Sequence, residues 1–513
     1  MFIDARKLAD QTRLEADLAI VGGGAAGITL ARAFAGSGIS VCVVEAGGLE
    51  PDPKVQSLYE GENTGIEYSP SYTRLRFFGG STNHWGGYCR PLDAIDFEQR
   101  DWVPFSGWPL TIDELIAYYE AATKIVEIAP GRFDDIDYWQ QVTGEKLPEM
   151  ATGRMRLQFV HFSPPTHFGS RYRDELKTAE NIRVLLNANV TRISAADNAR
   201  GVKRLAIRTL NGLRHSVKAR CYVLATGGLE NARILLLSNN VVPAGLGNQN
   251  DLVGRFFMEH PHLSGFAEMV VGDLKRLPQI LRQRVMTEGR YAKSAFNPTQ
   301  KFLRRHRLLN ATFMMGVAGE YTADQIPDPA NSKDSDRRDM LMAARPFISD
   351  DAGSVELAGS KDFGVWLGIG GSCEQLPNPD SRVSLSSQQD VLGLPSIKLN
   401  WRLTEQDRLS FYTHLHSLAL EFGALGIGRL RVTVADQREW PQPVRGGSHH
   451  MGTTRMGDNP LQSVVDRNCK VHGVDNLYIA GSSVFPTSGV SNPTLTIVAL
   501  TLRLADHLRE SLR

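Results

Sequence analysis

The chain has 513 residues, more than a single hydrophobic core usually organises, so we expect two domains or one elaborated α/β unit. Its 57 basic and 56 acidic residues give a formal net charge of +1, which argues against a dedicated nucleic-acid-binding surface. No run approaches the ~20 apolar residues of a membrane-spanning helix, and the mixed charges of residues 1–15 predict no secretory signal.

The first predicted elements form a nucleotide-binding unit. Residues 16–21 are an apolar run typical of a buried strand, and the sequence Gly-Gly-Gly-Ala-Ala-Gly follows at residues 22–27. An Ala- and Leu-rich helix is predicted from about residue 26 to residue 35, and a second apolar strand at residues 40–44 ends at Glu45. This order of strand, glycine loop, helix, strand and acid is typical of a dinucleotide-binding fold.

Each part of this unit has a physical role. Gly22 permits the tight turn, Gly24 lets the backbone approach a pyrophosphate, and Gly27 allows the helix to pack closely on the strand. The free N–H groups at the start of the helix attract phosphate. Glu45 is placed to accept hydrogen bonds from a ribose diol. A glycine-rich turn that binds nothing is the alternative, and the complete pattern disfavours it.

Two later segments repeat the pattern of a strand that ends at glycine before a helix. Residues 221–228 with a helix at 229–238 form the first, and residues 477–481 with a closing helix at 493–512 form the second. Such segments belong beside the first sheet, so three separated pieces build one cofactor domain. We predict that domain at residues 1–105, 180–262 and 440–513, and a substrate domain at residues 106–179 and 263–439.

The substrate domain has weaker signals. Residues 378–401 predict a turn and then strands of a sheet with one solvent-facing side. The basic stretch at residues 274–309 predicts a helix. The polar stretch at residues 324–338 predicts a loop, with a lid or an oligomer contact as alternatives.

The C-terminal block contains the candidate reaction centre. His449 and His450 stand together before a glycine-marked turn, and Asn492 precedes Pro493 at the start of the closing helix. Histidine has the near-neutral pKa that a general base needs, and an amide donates and accepts hydrogen bonds without titrating. A base and a polar partner therefore suggest a reaction centre. Buried core histidines and a turn asparagine are the alternatives.

Five motifs in this order resemble those of the glucose–methanol–choline (GMC) flavoprotein oxidoreductases. The resemblance covers nearly the whole chain and involves residues 22–27, 79–87, 225–228 and 251–255, and the C-terminal block at residues 449–457 and 491–495. Within that family the chain looks most like the pyranose oxidase and bacterial sugar dehydrogenase branch. Asn492 stands where many other branches have a second histidine.

The resemblance implies an α/β fold with a Rossmann-like FAD-binding domain, built from discontinuous segments, and a substrate domain with a large, mostly antiparallel sheet and helices. It implies FAD rather than NAD as the cofactor. The FAD-binding residues that it implies are Gly22, Gly24, Ala25, Ala26, Gly27, Glu45, Gly79, Gly80, Asn83, His84, Trp85, Val190, Thr226, Gly227, Gly481, Asn492 and Thr494.

The resemblance also assigns roles in the oxidation of an alcohol. The family pattern His-x-x-Gly-Thr aligns with residues 449–453, so His449 is implied to be the general base while hydride passes to flavin N5. His450 then becomes a supporting or flavin-contacting residue. Asn492 is implied to hold the substrate oxygen.

Two departures from the pyranose oxidases concern the flavin and the oxidant. His84 aligns with the histidine that those enzymes bond covalently to flavin, but Asn83 replaces the threonine before it. We therefore favour noncovalent FAD, with a link through His84 as the alternative. Gly86 stands where those enzymes have a threonine associated with the oxygen adduct, which favours an electron acceptor other than O₂.

The implied substrate is a pyranose sugar or glycoside, oxidised at a secondary ring hydroxyl such as C2 or C3. Trp366 and Trp401 are candidates for stacking on a sugar face, although ordinary sheet packing is favoured for both. A non-sugar alcohol and a catalytically silent flavin-binding subunit are alternatives. An NAD-linked or disulfide-type flavoenzyme is disfavoured, because the sequence has no second GxGxxG unit and no redox-cysteine pair.

The cysteines give no sign of a metal centre. They are five in number and scattered without metal-ligand spacing, at Cys42, Cys89, Cys221, Cys373 and Cys469. We expect reduced thiols, a cytoplasmic location and no metal site. No nucleic-acid or membrane partner is expected, and a homo-oligomer or a small partner subunit is left open.

Overall fold

Two large sheets and one small sheet form the frame of the molecule. The structure is a computed structural model that describes residues 1–271, 277–287, 289–317, 365–432, 438–441 and 443–513. The predicted loop at residues 324–338 lies outside the described residues. No helix in these ranges combines the length and apolar character that crossing a bilayer requires.

Most of the described strands belong to the two large sheets. In chain order the strands are β1 (Phe2–Asp4), β2 (Arg13–Val21), β3 (Val41–Val44), β4 (Gly61–Asn63), β5 (Tyr88–Cys89), β6 (Met155–Phe162), β7 (Ile182–Leu186), β8 (Asn189–Ala195), β9 (Val202–Arg208), β10 (Arg214–Leu224), β11 (Pro261–Val271), β12 (Val285–Thr287), β13 (Arg290–Pro298), β14 (Ala311–Val317), β15 (Val365–Cys373), β16 (Arg382–Gln389), β17 (Pro395–Asn400), β18 (Arg429–Val432), β19 (Arg445–Gly446) and β20 (Leu477–Ile479).

The helices vary from single turns to two long ones near the C-terminus. They are α1 (Ala25–Ala33), α2 (Pro53–Gln56), α3 (Ala94–Phe97), α4 (Ile116–Ile125), α5 (Ile136–Thr143), α6 (Phe168–Arg171), α7 (Arg173–Thr178), α8 (Gly227–Leu237), α9 (Gln279–Arg282), α10 (Gln300–His306), α11 (Glu405–Leu425) and α12 (Thr494–Leu512).

The first sheet has eight strands in the described residues, in the order β1-β7-β3-β2-β10-β9-β8, and β20 pairs with the end of β10. Its central neighbours are parallel, and β9 and β8 form an antiparallel edge. The apolar ends of β2 and β3 are buried, as a sheet covered on both faces requires. The carboxyl ends of β2, β3, β10 and β20 meet at one edge, where the glycine loops follow.

The second sheet is antiparallel throughout its described pairs. Its nine strands run in the order β18-β11-β15-β14-β13-β6-β5, with β12 beside β13 and β19 beside β11. The long helix α11 packs on β18 and starts at a capping box formed by Thr404 and Asp407. The predicted combination of an α/β unit with a large, mostly antiparallel sheet is confirmed.

The hairpin formed by β16 and β17 lies apart from the second sheet. It pairs with β4 in a three-stranded sheet and packs on α8. The Arg233 side chain of α8 pairs with Asp390 in the hairpin turn and donates to the Pro395 carbonyl. The hairpin therefore packs with elements of the cofactor segments, whereas its sequence was assigned to the substrate domain. The domain limits themselves stay a prediction.

The prediction of a helix over residues 274–309 is wrong. The described residues of this stretch form α9, the hairpin of β12 and β13, and the short α10. β13 pairs with β6 over residues 291–298, and its inner positions are buried, so tertiary pairing overrides the local preference. Three of the basic residues of this stretch, Arg304, Arg305 and His306, lie exposed in the last turn of α10.

Candidate active site

A cavity of about 1250 Å³ lies where the first sheet meets the second. It is lined by the loops that follow β2, β3, β10 and β20, by residues 447–450, and by His262 of β11. Because the loops after four parallel strands meet at this cavity, residues far apart in sequence face one space. The cavity is large enough for a dinucleotide and a small substrate.

The glycine loop after β2 has the geometry that a phosphate-binding turn needs. Gly22 has φ +103°, and a Cβ there would lie 2.6 Å from the Ala225 carbonyl oxygen. A Cβ at Gly27 would lie 1.9 Å from the Gly22 carbonyl oxygen, so only glycine lets α1 pack this closely. A Cβ at Gly24 would meet nothing within 4 Å, which leaves the backbone open to a ligand at the start of α1.

Glu45 is buried beside this loop. Its carboxylate accepts hydrogen bonds from the Gly23 N–H at 2.7 Å and the Gly47 N–H at 2.8 Å. Burial raises the pKa of Glu45, and the two backbone hydrogen bonds act in the opposite direction. The remaining lone pairs can accept hydrogen bonds from a diol in the cavity that Glu45 lines.

The loop at residues 79–87 packs on the glycine loop. The Gly79 N–H donates to the Gly23 carbonyl at 2.7 Å, and a Cβ at Gly80 would lie 3.2 Å from the Gly24 Cα. The Asn83 amide donates to two carbonyls of its own loop, at Phe78 and Gly80. Asn83 therefore supports the loop and is absent from the cavity lining in the described part of the chain.

The structure brings most of the predicted cofactor residues to the same cavity. Gly27, Gly79 and Asn83 lie behind its wall. The residues that line it are Gly22, Gly24, Ala25, Ala26, Glu45, Gly80, His84, Trp85, Val190, Thr226, Gly227, Gly481, Asn492 and Thr494.

His449 and Asn492 are in contact. The Asn492 Nδ2 lies 3.1 Å from His449 Nε2, and His449 Nδ1 lies 2.9 Å from His260 Nδ1. His260 Nε2 faces the Ser488 carbonyl oxygen at 3.3 Å, so this nitrogen is the donor and His260 Nδ1 is an acceptor. His449 Nδ1 must then donate to His260. The unprotonated nitrogen of His449 is Nε2, which accepts from Asn492.

The surroundings of His449 favour its neutral form. Burial holds the pKa of His449 well below its ordinary value, and the imidazoles of His260, His262 and His450 act in the same direction. A neutral histidine whose Nε2 has no proton can accept one there. The arrangement can therefore remove a proton from a group that lies beside Asn492.

Glu259 ties the segment that contains His449 to β11. Its carboxylate accepts from the backbone N–H groups of Gly447 at 2.9 Å, His449 at 2.8 Å and His260 at 3.0 Å. The Tyr68 hydroxyl is a fourth donor. Burial raises the pKa of Glu259 to about 7. The four hydrogen bonds favour the ionised carboxylate and lower this pKa, but their effect is smaller than that of burial. Glu259 therefore holds the backbone from which the His449 ring extends.

His450 has a different environment from its neighbour. Its Nε2 lies 2.7 Å from the Tyr68 hydroxyl and 3.1 Å from the Thr73 hydroxyl. Burial lowers the pKa of His450 to about 3. His450 contacts the cavity wall but not Asn492, so the two adjacent imidazoles face different partners.

His84 and Trp85 line the cavity in the loop at residues 79–87. Burial lowers the pKa of His84. The indole N–H of Trp85 donates to the Thr166 carbonyl at 3.2 Å. This hydrogen bond holds the Trp85 ring against a segment of the predicted substrate domain. Gly86 also lines the cavity.

For Trp401 the structure distinguishes stacking on a sugar from the favoured prediction of ordinary sheet packing. Its side chain is fully buried, its N–H donates to Gln375 at 2.9 Å, and its ring packs on Tyr68. It is therefore a core residue, as the favoured alternative had it. The side chain of Trp366 lies outside the described residues.

The sequence reasoning missed three residues beside His449, namely Glu259, His260 and His262. A signal was available in the sequence Glu-His-Pro-His at residues 259–262, a dense group of ionisable residues at the start of a strand. It lies shortly after the motif at residues 251–255. Contact with a loop almost two hundred positions later appears only in the fold.

The chain is similar to known protein families and to individual known proteins. A family model described as GMC oxidoreductase matches residues 377–501, and one described as FAD dependent oxidoreductase matches residues 17–244. The chain is 31% identical over 452 residues to the C-glycoside 3-oxidase of Microbacterium trichothecenolyticum, covering 85% of this chain and 75% of that protein. It is 27% identical over 551 residues to the 6'''-hydroxyparomomycin C oxidase of Streptomyces lividus, covering 96% of this chain and 92% of that protein.

A solved structure of formate oxidase shares the fold. It covers 99% of this chain and 100% of its own, with 18% sequence identity and a TM-score of 0.59. The cavity fits FAD, because Gly24 leaves space for a pyrophosphate, Glu45 can accept from a ribose, and His449 with Asn492 lines the same space. The chain belongs to the GMC oxidoreductase family and is an FAD-dependent oxidoreductase that acts on alcohol groups.

Proposed function

We propose that the protein oxidises a secondary ring hydroxyl of a pyranose sugar or glycoside, at C2 or C3, to a ketone. The contact between His449 Nε2 and Asn492 Nδ2 at 3.1 Å is the observation on which this proposal rests. The names of the C-glycoside 3-oxidase and the 6'''-hydroxyparomomycin C oxidase support a sugar-like substrate. The first of these names also favours C3.

In this proposal, His449 and Asn492 have different roles in the oxidation of the alcohol. His449 Nε2 accepts the hydroxyl proton, and the Asn492 amide donates a hydrogen bond to the substrate oxygen. FAD, when bound, would supply the acceptor for the hydride of the same carbon, whose C–O bond would then become C=O. A general base in this position supplies about 10²–10⁴ in rate. Asn492 does not titrate and cannot compete for the proton.

The electron acceptor that reoxidises the flavin is O₂ or another compound, and Gly86 in the cavity wall favours the second. The measurement is the rate at which the reduced protein is reoxidised in air and with a quinone or a dye. Faster reoxidation by O₂ than by each alternative acceptor would reject this preference. A cytoplasmic location and a homo-oligomer or small partner subunit stay predictions.

We propose that FAD is bound without a covalent link to His84. Acid precipitation of the wild-type protein should then release all the yellow colour into the supernatant. Colour that stays in the wild-type pellet and leaves the pellet of His84→Ala would establish a covalent bond instead.

The experiment that tests the main proposal is an anaerobic screen for flavin bleaching. The FAD-loaded protein is mixed with monosaccharides, O-glycosides, C-glycosides and non-sugar alcohols, and the loss of flavin absorbance is followed. We expect bleaching by sugars or glycosides at lower concentration than by non-sugar alcohols. Bleaching by non-sugar alcohols alone would support an oxidoreductase of non-sugar alcohols. A yellow protein that no alcohol bleaches would support a catalytically silent flavin-binding subunit.

A further inference from the structure

His262 is an imidazole in the active site to which the proposed reaction assigns no role. It is the second residue of β11, and its side chain is exposed to the cavity that it lines. Neither ring nitrogen has a hydrogen-bond partner among the described residues. The neighbouring His260, by contrast, has both of its nitrogens engaged, with His449 and the Ser488 carbonyl.

The His262 ring lies directly beside the proposed base. The centroids of the His262 and His449 rings are 5.6 Å apart, and the ring planes are inclined by 74°. A Cβ at Gly447 would lie 2.6 Å from His262 Nε2 and 2.7 Å from His449 Nδ1. The absence of a side chain at Gly447 thus lets the two imidazoles approach. His262 and His449 also line the same cavity, so a substrate bound beside His449 lies within reach of the His262 ring as well.

We infer that His262 hydrogen-bonds the ring hydroxyl adjacent to the one that is oxidised, and that it selects vicinal diols over simple alcohols. This inference rests on the proposed function. A neutral imidazole is both a donor and an acceptor, as a hydroxyl is, so the two groups are matched. Adjacent ring hydroxyls lie close enough for two neighbouring side chains to bind one each. A substrate that lacks the second hydroxyl leaves the imidazole unpaired.

The environment of His262 keeps its ring neutral, as a residue that both donates and accepts a hydrogen bond requires. Although the ring borders the open cavity, the protein that encloses the cavity desolvates it and lowers the pKa of His262 to about 4. The ring therefore stays neutral at physiological pH and keeps one N–H donor and one acceptor nitrogen. His262 lies on β11 of the second sheet, whereas Asn492 lies just before α12, so separate elements supply the side chains that would surround one substrate.

The first experiment compares a sugar that bleaches the wild-type flavin with its deoxy analogues, each lacking one hydroxyl next to the oxidised carbon. For one of these analogues we expect wild type to show kcat/KM about tenfold lower than for the sugar, which is the worth of one neutral hydrogen bond. His262→Phe, which keeps a ring without the nitrogens, should treat the two compounds alike. His262→Gln, which keeps a donor and an acceptor, should restore part of the preference. His306→Gln, on the exposed end of α10, is the control.

The second experiment measures binding without turnover. In a His449→Ala background, the dissociation constants of the sugar and its deoxy analogue are obtained from the change in flavin absorbance. We expect about a tenfold difference that disappears when His262→Phe is added. The FAD content and melting temperature of each variant show that it is folded.

The two proposals fail in different ways. A wild-type preference for the sugar that persists unchanged in His262→Phe overturns the inference and leaves the proposed function intact. So does an equal loss of rate for the sugar and for a simple alcohol, which would mean that His262 only supports His449. If no sugar bleaches the wild-type flavin, the proposed function itself fails.

Discussion

A histidine can act as a base only where an unprotonated nitrogen faces the substrate, and at residue 449 its neighbours decide which nitrogen that is. The Ser488 carbonyl sets the proton on His260 Nε2, and His260 then accepts from His449 Nδ1. These two hydrogen bonds leave His449 Nε2 without a proton, and this nitrogen accepts from the Asn492 amide. A backbone carbonyl thus sets the tautomer of the proposed base without contacting it.

The first prediction concerns His449→Ala. We expect flavin reduction by substrate to slow by about 10²–10⁴, because the proton has no acceptor, while FAD stays bound. The measurement is anaerobic stopped-flow absorbance of the flavin, with His306→Ala at an exposed position as the control. A near wild-type rate of reduction in His449→Ala would show that another group is the base.

The second prediction concerns the buried carboxyl of Glu259. Its folded-state pKa of about 7 is above the ordinary value of 4.5, so its contribution to stability is fully present below pH 4.5 and is lost as the pH rises through 7. The wild-type melting temperature should therefore fall between pH 5 and pH 8 by several degrees more than that of Glu259→Gln. Thermal unfolding at both pH values tests this.

The exposed Glu149 supplies the control for that experiment. Glu149→Gln should keep the wild-type difference between the two pH values. An identical pH dependence in wild type and Glu259→Gln would mean that Glu259 is ionised in the folded protein throughout this range. The four hydrogen bonds to its carboxylate would then outweigh its burial.

At the scale of elements, two glycines of one loop have separate tasks. Gly27 sets how closely α1 approaches the turn after β2, because a Cβ there would lie 1.9 Å from a carbonyl oxygen. A Cβ at Gly24 would meet no atom within 4 Å, and Gly24 lines the cavity. One glycine therefore serves the packing of the element, and the other keeps space for the cofactor.

The third prediction separates these tasks. Gly27→Ala should lower the melting temperature of the FAD-free protein and abolish FAD binding, because the loop cannot close on the helix. Gly24→Ala should leave the melting temperature near wild type and weaken FAD binding, because its methyl group occupies the space of the pyrophosphate. Circular dichroism melts and titration of FAD fluorescence test both. Wild-type affinity in Gly24→Ala would mean that the pyrophosphate lies elsewhere.

At the scale of the whole molecule, a buried ion pair connects the N-terminal segment to the second sheet. Arg100, just after α3, pairs through both terminal nitrogens with Glu374, just after β15. Both side chains are fully buried, and Glu374 also accepts from the Asn310 N–H at 2.8 Å. If one partner is removed, the remaining charge stays buried without water or a counter-charge, and this destabilises the folded protein.

The fourth prediction follows from that enclosure. Arg100→Met leaves Glu374 without a counter-charge and should destabilise the protein by about 3–5 kcal/mol. The double variant Arg100→Met, Glu374→Leu removes both charges and should recover much of this loss. Melting temperatures of the two variants test the prediction, and a double variant less stable than Arg100→Met would contradict it.

The local sequence pattern predicted the buried strands and the glycine turns of the first sheet, because their structure depends mainly on neighbouring residues. The buried strands β2, β3 and β10 are apolar because both faces of their sheet are covered, and glycine marks each turn that follows. The hairpin of β16 and β17 was grouped with the substrate domain because its alternation does not say which sheet it joins. The strand β13 was missed because it pairs with β6, more than a hundred positions away.

The sequence by itself determined that this protein binds FAD, that it belongs to the GMC oxidoreductases, and that His449 and Asn492 are the candidates for its chemistry. The dinucleotide-binding fold follows from residue types at fixed spacing, and the family, FAD and the roles of His449 and Asn492 follow from the resemblance of five motifs to those of the GMC oxidoreductases. Only the tertiary structure brought Glu259, His260 and His262 to the same loop. Contacts between distant segments depend on how the sheets pack, and that packing decides which nitrogen of His449 is free and which imidazole is left open for a second hydroxyl.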